Sequence, residues 1–248
     1  MPTTTCFCGA SLSGDSDDAH VAASHAHFTA AHPEFNLTET QVRNYIEREA
    51  MLEPAGEPVA TLGVVEEVPL TPDRLNDVLE FFDHHAFADN PGWASCYCLA
   101  HHVDEGEGTE SWGARTWQAN RGELADRIRA GRTTGVLCYA DGKLIGWCNT
   151  SRRNEFPHYA AGDDDRAVCV AACFIVAPAY RGHGVARRLL ERAIGECSAA
   201  GVSAIEGRPH ADPQWAGAAY HGTVSLFEQA GFEKVGERPP SVILRRSL

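Results

Sequence analysis

The 248-residue chain has no apolar run long enough to cross a bilayer. Its longest, Ala167 to Ala177, is about half of the ~20 residues that a spanning helix needs. Met1 to Ala10 carries neither the basic nor the apolar stretch that heads an export signal. These absences lead to the expectation of a soluble, cytoplasmic protein with no membrane partner. Positive charge is scarce as well: the net charge of -13 repels a polyanionic backbone, and no basic stripe offers phosphates a track, which excludes nucleic acid as a partner. Nine cysteines, an odd number scattered through apolar stretches apart from one short N-terminal group, do not make a secreted disulfide framework. They suit reduced thiols or metal ligands. The chain also lacks internal repeats and low-complexity tracts.

What is present divides in two. Pro54, Gly56 and Pro58 interrupt both helical and strand periodicity, and this break separates residues 1–58 from residues 59–248. The first part holds nine acidic and two basic residues, so it carries -7 of the total charge. Its pattern predicts two helices. One starts among Asp15 to Asp18 and stops before Pro33, and the other opens on the capping box Thr38-x-x-Gln41. The second part reads as a strand over Leu62 to Val68, a helix after Thr71-Pro72, and a helix from about Glu110 to Arg129. A hairpin turning at Asp141-Gly142 follows, then the apolar strand Val168 to Val176 and the amphipathic helix Val185 to Cys197. The strand Val202 to Glu206, a helix ending at Gly231 and the strand Val242 to Arg246 complete it. This order is α/β, with a mostly antiparallel sheet flanked by helices and a small helical module at the N-terminus.

The segment richest in chemical meaning runs from Cys173 to Ala186, where a strand passes through Arg181-Gly182-His183-Gly184 into a helix. Glycines let the loop turn tightly, and the unpaired N–H groups of the first helical turn favour an anionic diphosphate. The spacing decides against two common phosphate binders: no Gly-x4-Gly-Lys-Ser/Thr occurs, and Arg187 stands where a dinucleotide fingerprint needs its third glycine.

Arg181, Gly184 and Ala186 fit the pattern Arg/Gln-x-x-Gly-x-Gly/Ala, preceded by Pro178 and Tyr180, and Ser225 to Phe232 form a fitting C-terminal pattern. In these motifs the chain resembles the GCN5-related N-acetyltransferase (GNAT) superfamily over about Leu62 to Leu248. The resemblance implies a GNAT-type fold and acetyl-CoA as cosubstrate, with the acetyl group passing to a primary amine by direct attack in a ternary complex. It implies that Phe174, Ile175 and Val176 contact the pantetheine arm and thioester, and that Arg181, Gly182, His183, Gly184, Val185 and Ala186 hold the diphosphate. The family's usual tyrosine acid in the last helix is replaced here by Phe227. The alternative reading is a non-catalytic acyl-CoA-binding or metal-linked regulatory protein.

Acetyl transfer to an amine requires a base and a proton donor for the thiolate. Glu206, at the end of a strand expected to flank the acetyl group, is the candidate base, with His158, His210 and His221 as alternatives. Tyr220 is the candidate acid. Trp93, Tyr97, Trp112, Trp117 and Trp147 are candidates for the acceptor wall. Net acidity favours a cationic acceptor, either an amine-bearing small molecule or a peptide, and a homodimer is compatible with the chain. In the N-terminal module Cys6 and Cys8 precede His27 and His32, whose His-x4-His spacing is found at tetrahedral zinc sites and makes the four a candidate zinc set; Cys-x-Cys is tighter than the common Cys-x2-Cys, and His20 and His25 compete for the role. A second group, Cys96, Cys98, His101 and His102, is the weaker metal candidate.

Overall fold

A computed structural model describes residues 3–6, 8–103, 111–159, 166–212 and 216–248. The chain opens with a two-stranded ribbon, β1 (Thr3–Thr5) and β2 (Ser11–Ser13), followed by helices α1 (Asp17–Ala31) and α2 (Glu39–Glu49). Ser16 caps α1, and at α2 both hydrogen bonds of the predicted capping box form. Helix α2 is joined to the rest of the protein by Arg48. This fully buried guanidinium donates to the carbonyls of Phe82 (2.8 Å), Asp83 (2.9 Å) and Ala94 (3.3 Å). A buried charge with all of these acceptors is satisfied; without them it would be strongly destabilising.

The main sheet comprises β3 (Val65–Pro69), β4 (Gly135–Ala140), β5 (Lys143–Arg152), β6 (Val168–Val176), β7 (Ala204–Gly207), β8 (Glu233–Arg238) and β9 (Ser241–Ser247). Their spatial order is β3-β4-β5-β6-β7-β9-β8, and every pair is antiparallel except β6 with β7. At the β4–β5 turn Asp141 (φ 49°) and Gly142 (φ 80°) both adopt positive φ, as a tight hairpin requires. Helix α5 (Val185–Ala199) lays Val185, Leu189, Leu190, Ala193 and Ile194 on one face of the sheet. The other face is covered by α3 (Leu75–Glu80), α4 (Trp117–Arg129) and the aromatic segment between them. A short α6 (Val224–Gln229) packs beside β9. Among the described residues no helix is long and apolar enough to cross a membrane.

Some boundaries differ from the sequence reading. The first strand of the main sheet begins at Val65, where its partner β4 ends at Ala140; the Val64 amide is instead held by the Asp141 side chain at 2.9 Å. The helix expected from Glu110 starts at Trp117, because Thr116 caps it through the Ala119 amide; Glu110 itself lies outside the described residues.

Two irregularities shape the site. Asn149 pairs with Cys173 but Thr150 pairs with Ala171, so Ala172 is an extra residue in β6. This bulge resets the alternation of the strand: Phe174 packs toward α5, while Cys173 and Ile175 pack on the opposite face. In addition, the parallel pairing ends at Ala171 and Gly207. Beyond Gly207 the chain stays with the C-terminal hairpin, where the Val242 amide bonds Pro209 and that of Ala211 bonds Pro240. Strands β6 and β7 therefore part, and a cleft opens between them.

Candidate active site

The loop between β6 and α5 meets the backbone demands of an anion cradle. Gly182 (φ 82°) and Gly184 (φ 75°) occupy the left-handed region that a residue with a Cβ rarely adopts. Gly184 is also the N-cap of α5 and supplies no side chain to the first-turn amides, which leaves them available to an anion. The loop side chains are engaged elsewhere. Arg181 donates to the Val176 carbonyl (3.0 Å) and forms a bidentate pair with Asp89. The His183 ring bonds the Val59 carbonyl (2.9 Å), while the Val59 amide bonds Ala179 (2.9 Å).

A cleft of about 610 Å³ extends from this loop to Phe174, Tyr220 and Thr223. The Ala177 amide donates to Ile145 across the β5–β6 ladder. By antiparallel alternation the main-chain groups of Cys173 and Ile175 then face β5, and those of Phe174 and Val176 face the cleft.

Tyr220 stands in the helical turn Ala216–His221 that leads to α6 and borders this cleft. Its hydroxyl accepts a hydrogen bond from Asn90 (3.2 Å), which leaves its own proton free for donation. Burial pushes the phenol above its ordinary value, against the smaller opposing effect of Asn90, and so keeps that proton in place. Phe227 is fully buried between Phe174 and Phe232. A Cβ at Gly207 would lie 2.2 Å from its ring, so hydrocarbon fills this position and offers no acid.

Glu206 does not fit the role of base. Its carboxylate is buried and receives Arg153 (3.0 Å), Arg208 (3.0 Å) and Arg245 (2.6 Å). A base needs a lone pair directed at the nitrogen it deprotonates, and here guanidinium donors occupy both oxygens. The carboxylate instead fixes β7 to β9 and to the turn after β5.

Tyr220 also borders a second cavity, of about 210 Å³, on the Cys173 and Ile175 side of β6. His101 and His221 line it, their rings 5.0 Å apart. Burial lowers both imidazoles, His101 to about 3 and His221 to about 4, so both are neutral near pH 7. The backbone of the bulged Ala172 lies beside the His221 ring and works against that lowering, and the buried Nδ1 has no hydrogen-bond partner among the described residues. His210 stacks behind it at 5.2 Å, whereas His158 is exposed. Of the five aromatics expected in the acceptor wall only Trp93 lines this cavity; Tyr97 and Trp147 are fully buried in the core, and Trp112 and Trp117 pack near α2.

In the N-terminal module the ligand atoms of Cys6, Cys8, His27 and His32 all lie within 4.8 Å of one another. His25 is engaged with the Leu37 carbonyl, and the buried His20 stays outside the cluster. Cys96, Cys98, His101 and His102 do not converge. His102 turns away, stacked on Phe156 and bonded to Asn149 and Glu155.

Residues 96–232 match the model of the acetyltransferase (GNAT) family. Among solved structures, the chain is similar to the PaiA N-acetyltransferase of Thermoplasma acidophilum in complex with coenzyme A. The identity is 16%, over 75% of this chain and 99% of that one, at a TM-score of 0.46. It is similar to an acetyltransferase from Thermus thermophilus at 16% identity, over 76% and 99%, with a TM-score of 0.47. The GNAT domain of S. lividans PAT is also 16% identical, over 75% and 92%, with a TM-score of 0.48. No curated protein matches the chain.

Proposed function

Because the chain belongs to the GNAT acetyltransferase family, we propose that it transfers an acetyl group from acetyl-CoA to the nitrogen of a primary amine, with both substrates bound at once. The observation that carries this reading is the parting of β6 from β7 beside a helix whose first-turn amides lack a side-chain cap. The amides from Arg181 to Ala186 receive the diphosphate. The edge of Phe174 and Val176 receives the pantetheine arm, and a strand N–H polarises the thioester carbonyl. The amine approaches from the second cavity, its nitrogen bonds to the acetyl carbon, and the C–S bond breaks. The proton lost by nitrogen goes to His221 Nδ1, and Tyr220 gives its proton to the departing sulfur. The imidazolium and phenolate then return to their starting states by exchange with solvent. In the native enzyme, thiol release from acetyl-CoA is expected to require an amine and to equal the acetylated amine formed. Calorimetric binding of coenzyme A with no thiol release for any amine would reduce the protein to an acyl-CoA binder.

For the N-terminal module we assign zinc. With Zn–S of ~2.3 Å and Zn–N of ~2.05 Å, a tetrahedral site has S···N edges of ~3.6 Å. The cluster has Cys6 Sγ to His32 Nε2 at 3.5 Å and Cys8 Sγ to His27 Nε2 at 3.4 Å. Two thiolates and two imidazoles form a donor set suited to this ion. The ion would tie the β1–β2 turn to the end of α1 in a segment with few large buried side chains, Val21 and Val42 among them. The purified full-length protein is expected to hold about one zinc per chain, and Cys8→Ser to lose it with faster proteolysis before residue 58. A zinc-free wild-type protein with the same protease resistance would remove the assignment.

A further inference from the structure

The cavity behind Tyr220 restricts what the acceptor can be. The rings of Phe87 and Trp93 meet Tyr220 edge to face at 5.4 and 6.4 Å. Cys96, Cys173 and Ile175 contribute thiol and hydrocarbon to the wall. Among the described residues that line it there is no Asp, Glu, Lys or Arg. The two carboxylates that flank Phe87 in the sequence are committed elsewhere, Asp83 to Arg121 and Asp89 to Arg181. His101 and His221 add polarity without charge, burial having lowered both. An ammonium entering this space would shed its water and find no anion among the described lining residues, which is costly. A ring would meet aromatic edges and polarisable sulfur, which is favourable.

Size points the same way. A cavity of roughly 150 Å³ with apolar walls accommodates benzene, and this one measures about 210 Å³. One ring and a short arm fill it. Tyr220 lines both cavities and sets its hydroxyl at their border, and the imidazoles of His101 and His221 lie on the side of the smaller one.

We propose that the acceptor is a compact primary amine with a single aromatic ring, or a hydrocarbon of that size, bound with its nitrogen uncharged. Polyamines and protein lysines are poor substrates. The overall negative charge of the chain thus attracts cations to the surface without selecting one in the pocket. The proposal rests on the acetyl-transfer reading of the same site, and two measurements separate the two claims.

The first compares kcat/KM of the native enzyme for 2-phenylethylamine, spermidine and a lysine-containing peptide. The aromatic amine is expected to lead by at least about tenfold. The second measures binding of 2-phenylethylamine to the coenzyme A complex by calorimetry, without turnover. A Cys96→Asp variant, which adds a carboxylate to the wall, is expected to move the ratio at least about tenfold toward spermidine. If spermidine or the peptide equals or exceeds 2-phenylethylamine in the native enzyme, the proposal about the acceptor is overturned and acetyl transfer stands. Saturable binding of 2-phenylethylamine with no acetylation of any amine supports the pocket and overturns transfer. Neither binding nor acetylation overturns both.

Discussion

Replacing Gly184 with valine is expected to raise the Kd for coenzyme A by about ten- to a hundredfold with little loss of fold stability. Gly184 has φ of 75°, and an added Cβ would meet nothing within 4 Å. Crowding is therefore not the cause of the effect. A β-branched residue held in the left-handed region is strained by roughly 1–3 kcal/mol. The loop can relieve that strain by turning, which misaims the first amides of α5. Each ~1.4 kcal/mol lost in this way is a factor of ten in affinity. Acetyl-pantetheine, which has no diphosphate, provides the control: variant and parent should use it equally well. Unchanged coenzyme A affinity in the variant would show that the diphosphate binds elsewhere.

Removing the Tyr220 hydroxyl should affect a different quantity. Tyr220→Phe is expected to lower kcat by about a hundredfold while KM for acetyl-CoA stays within about a factor of two. Positioned proton transfer contributes roughly 10²–10⁴, and a thiolate, being only weakly basic, needs the lower end of that range. The phenol is well suited to the task, since Asn90 occupies a lone pair of the oxygen and burial holds the proton on it. The ring would remain packed against Phe87 and Trp93, so a loss confined to kcat isolates the hydroxyl. If kcat is unchanged, the residue is only part of the wall and water protonates the sulfur.

The sequence reading succeeds where a signal is local. The capping box at Thr38, the Asp141-Gly142 hairpin and the strand Val168 to Val176 each depend on residues close in the chain, and each forms. It fails where distant segments decide. Strand β8 is polar and largely exposed, with no alternation to reveal it; its pairing with β9 makes it a strand. The bulge at Ala172 has no residue-type signature, yet it determines which side chains of β6 face the cleft beside the glycine turn and which face the smaller cavity. Its place at a strand end makes Glu206 a candidate base, but the arginines that occupy it come from positions 153, 208 and 245. Tyr220 and His221 stand among the sequence candidates. Their separate relations to the two cavities belong to the three-dimensional arrangement alone.

Val59 gives the link between the N-terminal segment and the rest of the chain a further meaning. Its amide and carbonyl grip Ala179 and His183, on either side of the glycine turn. The segment entering the main sheet thus touches the glycine turn through two hydrogen bonds that do not run through the sheet. Extra residues placed before Val59 would lengthen the tether and spare this clasp, whereas a cut that removes Val59 would release the turn from its outer brace.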